Sequence, residues 1–264
     1  MLALIDGDIV VYRVAWTTEN EDYGIAQWRL NEMIDNILKD VEATEYVIYL
    51  SDATENGFRF KLDSNYKQNR KQPKPKHYEA LKYYIVRDIG AKITIEQEAD
   101  DALGIKQIEI NSEINDGFSW EPLIKEEGKY LAESNPKCII CSIDKDMLQI
   151  PGWHYNFVKK EKTFITPEEG LRRFYEQLLM GDVVDNIPGI YGIGPVKARK
   201  HLKGLVTEEE LFLKCKELYE KHEIPEERLL LNGRLLKIRT KEDEIWNFPI
   251  SMNSQELKQL AVAQ

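Results

Sequence analysis

Short apolar runs of strand length alternate, over the first two thirds of the chain, with longer stretches whose apolar residues recur at helical spacing. Leu2 to Ile5 is the first such run, Glu45 to Leu50 the second and Ala91 to Ile95 the third. Lys137-Cys138-Ile139-Ile140, continuing into Cys141, has the content of a strand buried on both faces, as in parallel sheets. Trp153 to Val158 reads as a last strand at a sheet edge. Between these runs, Gly24 to Val41 carries Ile25, Trp28, Met33, Ile34, Ile37, Leu38 and Val41 at roughly helical spacing and predicts the first helix. Tyr78 to Gly90 predicts a second helix, and Glu96 to Gly104 opens a third. Asn111 to Pro136 reads as an inserted helix with flanking loops. The alternation predicts an α/β core.

From Thr166 onward the pattern is helical. Thr166-Pro167-Glu168-Glu169 is a capping arrangement with proline at the first helical position, feeding a helix through Met180. Gly189, Gly192 and Gly194 then permit tight turns, and Pro195 opens a short helix bearing Lys197, Arg199, Lys200 and Lys203. Free N–H groups at such a turn can hold a phosphate oxygen without reading a base. Glu208 to Gln264 alternates amphipathic stretches with a basic Arg234 to Lys241 and reads as structural closure.

The polar positions add a second regularity: nearly every strand-like run ends in acid. Asp6 and Asp8 follow the first run, Asp52 the second, and Asp144 and Asp146 the fourth. Glu98, Asp100 and Asp101 stand where the helix after Ile95 begins, and Asp182 and Asp185 precede the glycine turns. A carboxylate at a helix start is an ordinary cap favoured by the helix dipole. Chance does not often place acids at each successive strand end, and ligands of open α/β sheets gather at those ends. Carboxylates converging there repel unless a cation lies between them, and hard oxygen donors suit Mg²⁺ or Mn²⁺.

The composition changes sharply from Arg59 to Lys82. Arg59, Lys61, Lys67, Arg70, Lys71, Lys74, Lys76 and Lys82 face only Asp63 and Glu79, with Tyr66, His77 and Tyr78 interleaved. Pro73 and Pro75 forbid a continuous helix across the middle. The segment reads either as a solvated loop or as a basic element beside the acids, gripping phosphates while its tyrosines stack on bases. The 264 residues, 42% hydrophobic and 31% charged, are enough for an α/β core and a smaller appendage. The net charge of −10 does not exclude a nucleic-acid partner when acids and bases are segregated in this way. The start of the chain lacks a signal-peptide pattern, and no apolar run approaches membrane-spanning length; a cytoplasmic protein without membrane contact is expected. Cys138, Cys141 and Cys215 make no disulfide framework, and the C-x-x-C lies inside an apolar run, which favours core residues.

As an ordered set, these motifs resemble the structure-specific 5′ nuclease (flap endonuclease) superfamily. Ile5-Asp6-Gly7-Asp8, Asp52, Glu98-Ala99-Asp100-Asp101, Ser142-Ile143-Asp144-Lys145-Asp146 and Gly181-Asp182-Val183-Val184-Asp185-Asn186 match its acidic motifs in order. Gly189-Ile190-Tyr191-Gly192-Ile193-Gly194 matches its helix–three-turn–helix element. Asn65 to Lys71, followed by the prolines, looks most like the 5′→3′ exonucleases of T-seven-like bacteriophages.

The resemblance implies a PIN-like α/β nuclease core at 1–165 with a mainly parallel sheet and a basic arch or clamp at about 57–82. It also implies a helical DNA-binding region at 166–264, with the helix–three-turn–helix at about 181–203 and C-terminal helices packing back on the core. It implies two Mg²⁺ (or Mn²⁺) ions: Asp6, Asp52, Glu98 and Asp100 lean toward the first, and Asp144, Asp146, Asp182 and Asp185 toward the second. Asp101 stays unassigned between them. Lys67 and Arg70 match positions contacting the scissile phosphate or 5′ end. Arg59, Tyr66, Lys71 and the glycine turn with Lys197, Arg199 and Lys200 join them as DNA contacts, with K⁺ at the turn. The implied activity is a 5′→3′ exonuclease on double-stranded or branched DNA, also cutting 5′ flaps and RNA–DNA hybrids by two-metal in-line displacement. A monomer is expected. A segment this short and proline-broken fits an open clamp better than a closed arch. A PIN-type ribonuclease would not need the glycine turn with its basic helix, and a non-catalytic DNA-binding scaffold would be expected to have lost carboxylates.

Overall fold

The computed structural model describes residues 1–52, 54–113 and 123–249. In chain order, strand β1 (Leu2–Asp6) leads into helices α1 (Gly7–Thr17) and α2 (Tyr23–Val41), then β2 (Glu45–Leu50). The basic segment holds only the short α3 (Phe58–Leu62) before α4 (Tyr78–Tyr84), which ends in a π-helical turn at Ile85–Ile89. Strand β3 (Lys92–Ile93) and α5 (Ala99–Ser112) follow. Then come the small hairpin β4 (Lys125–Glu126) and β5 (Lys129–Tyr130), α6 (Leu131–Ser134), β6 (Cys138–Cys141), β7 (Gly152–Asn156) and β8 (Glu161–Ile165).

Six of these strands form one sheet in the order β3-β2-β1-β6-β7-β8. All neighbours are parallel except the last pair, as the expected α/β class requires. Successive residues alternate between its faces. Ala3, Ile5, Ile139 and Cys141 pack with Val10, Val14, Leu30, Ile37 and Ile85 on one side. Leu4, Cys138 and Ile140 meet Leu103, Met147, Ile150 and Ile238 on the other. Cys138 and Cys141 therefore point to opposite faces, and burial pushes the Cys138 thiol up to about 12. They are core residues.

Three expectations are corrected. The first helix is α1, immediately after Asp6, and the helix expected from Gly24 is the second. The β-branched residues Ile9, Val10 and Val11 are poor helix formers, but burial of Val10, Val11 and Val14 overrides propensity. The run at Trp153 is not an edge: β8 pairs antiparallel outside it, and its Glu161 and Lys162 blunt the true edge. The insert expected as a helix with loops lies partly outside the described residues; its described part is the β4–β5 hairpin and α6.

The chain divides into two compact units. The first is Met1–Arg173 with Val184–Asn186 and Ile238–Glu244; the second is Phe174–Val183, Ile187–Lys237 and the chain from Ile245. The passage between them is interleaved, where a single division after residue 165 was expected. Helix α7 (Pro167–Met180) runs from one to the other, opened by the anticipated Thr166–Glu169 capping pair, whose two hydrogen bonds measure 2.9 and 3.2 Å. The second unit also contains β9 (Gly181–Asp182), β10 (Ile187–Pro188), α8 (Pro195–His201), α9 (Glu208–Lys221) and α10 (Glu226–Leu236). Its core joins Phe174, Tyr175, Phe212, Tyr219 and Trp246.

Gly7 shows how tightly the sheet and α1 meet. A Cβ there would stand 2.6 Å from the Tyr49 carbonyl oxygen and 2.8 Å from Ile48 Cγ2. Gly7→Ala is expected to destabilise the protein by about 1–3 kcal/mol through overpacking, read from urea unfolding midpoints.

Candidate active site

Strand order reverses between β1 and β6: the chain leaves β1 toward β2 and β3, and leaves β6 toward β7 and β8. The carboxyl ends of these two strands flank the crevice in which open α/β sheets take ligands. Asp6 stands there, fully buried, and also caps α1 by accepting from the Ile9 N–H at 3.1 Å. From the end of β6, Ser142 Oγ donates to Asp6 at 2.8 Å and accepts from the Asp144 N–H at 3.0 Å. Asp144 in turn accepts from the Asp146 N–H at 2.9 Å. Ser142 thus ties two acidic motifs together.

The charges of this group feel one another. Burial, then Asp8 and more weakly Asp144, push the Asp6 carboxyl from 3.8 up to about 7. Asp100, in the first turn of α5, is raised by burial, then by Asp6, Asp144 and Glu98. Asp8 accepts from the Ser51 N–H at 2.9 Å, reaching across to the end of β2. Asp52 follows Ser51, donates its backbone N–H to the Thr94 hydroxyl at 3.3 Å, and lines a small cleft with Glu98.

A second cluster adjoins the first through Glu98. Lys67 Nζ donates to Glu98 and stands 4.0 Å from Asp185. Arg70 grips Asp185 Oδ1 through Nε at 2.9 Å and Nη2 at 2.6 Å. The Tyr66 hydroxyl lies 3.2 Å from both Glu98 and Asp185, although its single proton serves one at a time. Burial pushes Glu98 up, yet Lys67 and Arg59 outweigh it and hold the carboxyl below its usual range. For Asp185, burial prevails over Lys67 and Arg70, and the carboxyl is raised. The segment is clipped in place by the Lys67 N–H on the Asp185 carbonyl at 2.9 Å and the Asn186 amide on the Asn65 carbonyl at 2.9 Å. Lys67 adopts the left-handed φ of 58° that this clip demands.

Three expected site residues have other employment. Both Asp101 oxygens are engaged, by Arg59 at 2.6 and 2.9 Å, by the Arg239 N–H at 3.0 Å and by the Glu98 N–H at 3.2 Å. Asp101 is an internal anchor closing a capping box at α5. Arg59 is only 3% exposed, so it is that anchor's partner and offers no surface to DNA. Tyr66, also 3% exposed, serves the carboxylates and does not present a stacking face. Lys71 is exposed. In the second unit, Asp182 pairs with Ile187 between β9 and β10. There Gly189 packs against the Gly181 backbone, Gly192 takes a φ of 78° and Gly194 precedes α8. Lys197 Nζ donates to the Gly192 carbonyl at 2.7 Å, Arg199 Nε to the Pro195 carbonyl at 3.2 Å, and Lys200 is exposed. Ser142 and Asn186 stand inside quoted motifs with no role assigned to them, and Ser51 and Arg239 were given none either. Their partners lie far away in the chain, and no spacing announces them.

Among the described residues, no three His, Cys, Asp or Glu side chains form a group that could hold a metal ion as they stand. The donor set of Asp6, Asp100 and Asp144 nonetheless fits a hard divalent cation. It consists of oxygen donors whose mutual repulsion a cation would relieve.

No family model matches the chain. It is 31% identical over 210 residues to a 5′-3′ exonuclease of Buchnera aphidicola from Acyrthosiphon pisum, an alignment covering 72% of this chain and 66% of that protein, just under two thirds. It is 26% identical over 280 residues to the 5′-3′ exonuclease of Aquifex aeolicus, covering 97% and 86% of the two chains. Its fold matches that of the bacteriophage T5 flap endonuclease, solved as a pseudo-enzyme-product complex with DNA and metal ions, with a TM-score of 0.59 at 15% identity over 90% and 89% of the chains. The architecture is thus an α/β fold shared with that protein, with acids at the switch point of its sheet. In sequence the chain is similar to 5′-3′ exonucleases, and in fold to a flap endonuclease.

The raised carboxyls give the ion-free protein a defined pH dependence. Asp6 favours its neutral form when folded, so its contribution to stability is complete below its unfolded value of 3.8 and is lost as pH rises to about 7. Asp100→Asn, which removes one repelling charge at nearly constant shape, is expected to melt higher than the parent at about pH 8 without divalent ions, read by calorimetry. Arg59→Met is expected to cost about 3–5 kcal/mol in denaturant unfolding, because it strands the Asp101 charge in the interior.

Proposed function

We propose that the protein is a divalent-metal-dependent 5′→3′ exonuclease on double-stranded or branched DNA that also cuts 5′ flaps and RNA–DNA hybrids, leaving 5′-phosphates. The convergence of Asp6, Asp100 and Asp144 at the switch point of the sheet, beside Glu98 and Lys67, is the observation that carries this reading. The named activity of its relatives supports it, as does the DNA and metal content of the T5 complex. Asp6, Asp100 and Asp144 would hold Mg²⁺ or Mn²⁺, with Asp52, Glu98, Asp146, Asp182 and Asp185 completing two sites. Bound divalent ions supply positive charge that acidifies water and offsets charge on the phosphate.

This chain's own residues do the rest. Ser142 fixes the orientation of Asp6 and of the backbone at Asp144. Lys67 and Arg70, released from Glu98 and Asp185, present ammonium and guanidinium to the scissile phosphate and stabilise charge as it develops. The glycine turn from Gly189 to Gly194, with a K⁺ at it and Lys197, Arg199 and Lys200 beside it, would hold duplex phosphates by charge and backbone N–H groups alone. Binding should therefore weaken steeply with salt. A monomeric enzyme of replication, primer removal or recombination in the cytoplasm, encoded by a T-seven-like phage, accommodates these properties.

The test is digestion of 5′-labelled and 3′-labelled duplex, nicked, flapped and RNA–DNA substrates with and without Mg²⁺. Asp144→Ala should abolish cutting while duplex binding survives; unchanged cutting removes Asp144 from the site, and label release from the 3′ end alone reverses the direction. Lys67→Ala should slow cutting by about 10²–10³-fold. Because the same ammonium now neutralises Glu98, divalent-ion affinity measured by calorimetry should rise in that variant.

A further inference from the structure

A second concavity lies in the first unit, between α1, α2 and the turn that joins β7 to β8. It encloses about 360 Å³, within the range of small-molecule sites, and shares no lining residue with the carboxylate clusters. Arg13, Arg29 and Lys160 line it together with Asn36, Met33 and Phe157. Along α1, Arg13 lies about 10 Å beyond Asp6 at 1.5 Å per residue.

Its charges are unbalanced in a specific way. Among the described residues, neither the Arg13 nor the Arg29 guanidinium has an ion pair or hydrogen bond. Two acids also line the groove. Asp40 is committed to the Tyr155 hydroxyl at 2.6 Å and to Lys160 at 3.6 Å, and exposed Glu32 makes no ion pair among the described residues. Two guanidiniums lining one recess, neither in ion-pair contact with the Glu32 and Asp40 that share it, suit a phosphate, whose oxygens match their forked donors. A bare inorganic anion would leave Met33, Ile37 and Phe157 uncovered. A wholly apolar ligand would leave the guanidiniums unmatched. A nucleotide satisfies both halves, with its phosphate on the arginines, its base on the apolar wall and the Asn36 amide available for polar edges.

We infer that this groove is a binding site for a nucleotide phosphate, separate from the catalytic carboxylates. The choice of a nucleotide over another organic phosphate rests on the proposed nuclease reading. Two sources share this chemistry: a released 5′-mononucleotide, and one unit of a single strand passing along α1.

The experiment titrates wild type, Arg13→Gln, Arg29→Gln and the double variant, by calorimetry without divalent ions, with a 5′-deoxynucleoside monophosphate, the matching nucleoside, inorganic phosphate and a short single-stranded oligonucleotide. The monophosphate or the oligonucleotide should bind wild type, and the double variant should lose about tenfold or more in affinity. The nucleoside should not bind, and inorganic phosphate should bind more weakly than the nucleotide. Binding by the monophosphate assigns the groove to a released product; binding by the oligonucleotide alone assigns it to a strand. No binding of either, unchanged affinity in the double variant, or equal affinity for inorganic phosphate overturns the inference. Both arginines are solvent-accessible, so unchanged melting temperatures should show that the variants fold. Duplex cleavage run in parallel separates the two ideas, since loss of groove binding should leave cutting at the carboxylates in place, and absence of cutting in wild type refutes only the nuclease reading.

Discussion

Like charges held close in a medium poorer than water repel strongly, and that repulsion organises the carboxyl edge of this sheet. Asp6, Asp100 and Asp144 come from three elements that have no reason to meet except the strand order β2-β1-β6 and the seating of α5. Their ionisation is unfavourable there: burial first, then Asp8 and more weakly Asp144, raises the Asp6 carboxyl, and burial first, then Asp6, Asp144 and Glu98, raises Asp100. The structure tolerates it through hydrogen bonds from Ser142 and from the first turn of α1, which stabilise the ionised form in part. Carboxyls perturbed in this way cluster at functional sites.

The neighbouring cluster resolves the same problem differently. Glu98 and Asp185 are matched by Lys67 and Arg70, so charge is neutralised inside the protein and Glu98 falls below its usual range. Deeper still, Arg59 and Asp101 form a buried pair, and the Asp101 carboxylate also accepts from the Arg239 and Glu98 backbone N–H groups. Solvent access decreases along this series from Arg70 to Arg59, whose side chains are 53% and 4% exposed. Adaptable charge therefore sits outermost, and purely structural charge sits innermost.

Much of the fold was legible because its strands are short apolar runs and its acids recur at their ends. β1, β2 and β6 fall where the runs lie, and the capping pair before α7 was readable from four residues. Helix α1 was hidden by β-branched residues whose burial is a tertiary fact, and β8 by a charged composition that suits an edge. The burial of Arg59, Tyr66 and Asp101 was hidden for a common reason. A basic or aromatic residue in a polar stretch looks solvent-facing, and nothing local reports that a partner tens of residues away will enclose it.

By itself, the amino-acid sequence determined the class of the sheet, the residue types at its carboxyl edge and the family its motifs resemble, because periodicity and motif order are properties of neighbours along the chain. Only the tertiary structure decided which acids face one another, which are neutralised by lysine or arginine, and which are buried as anchors. Those outcomes depend on distances and solvent exclusion between segments remote in sequence, such as Asp6 with Ser142 and Asp101 with Arg239. Electrostatic energy follows separation in space, and linear spacing does not encode it.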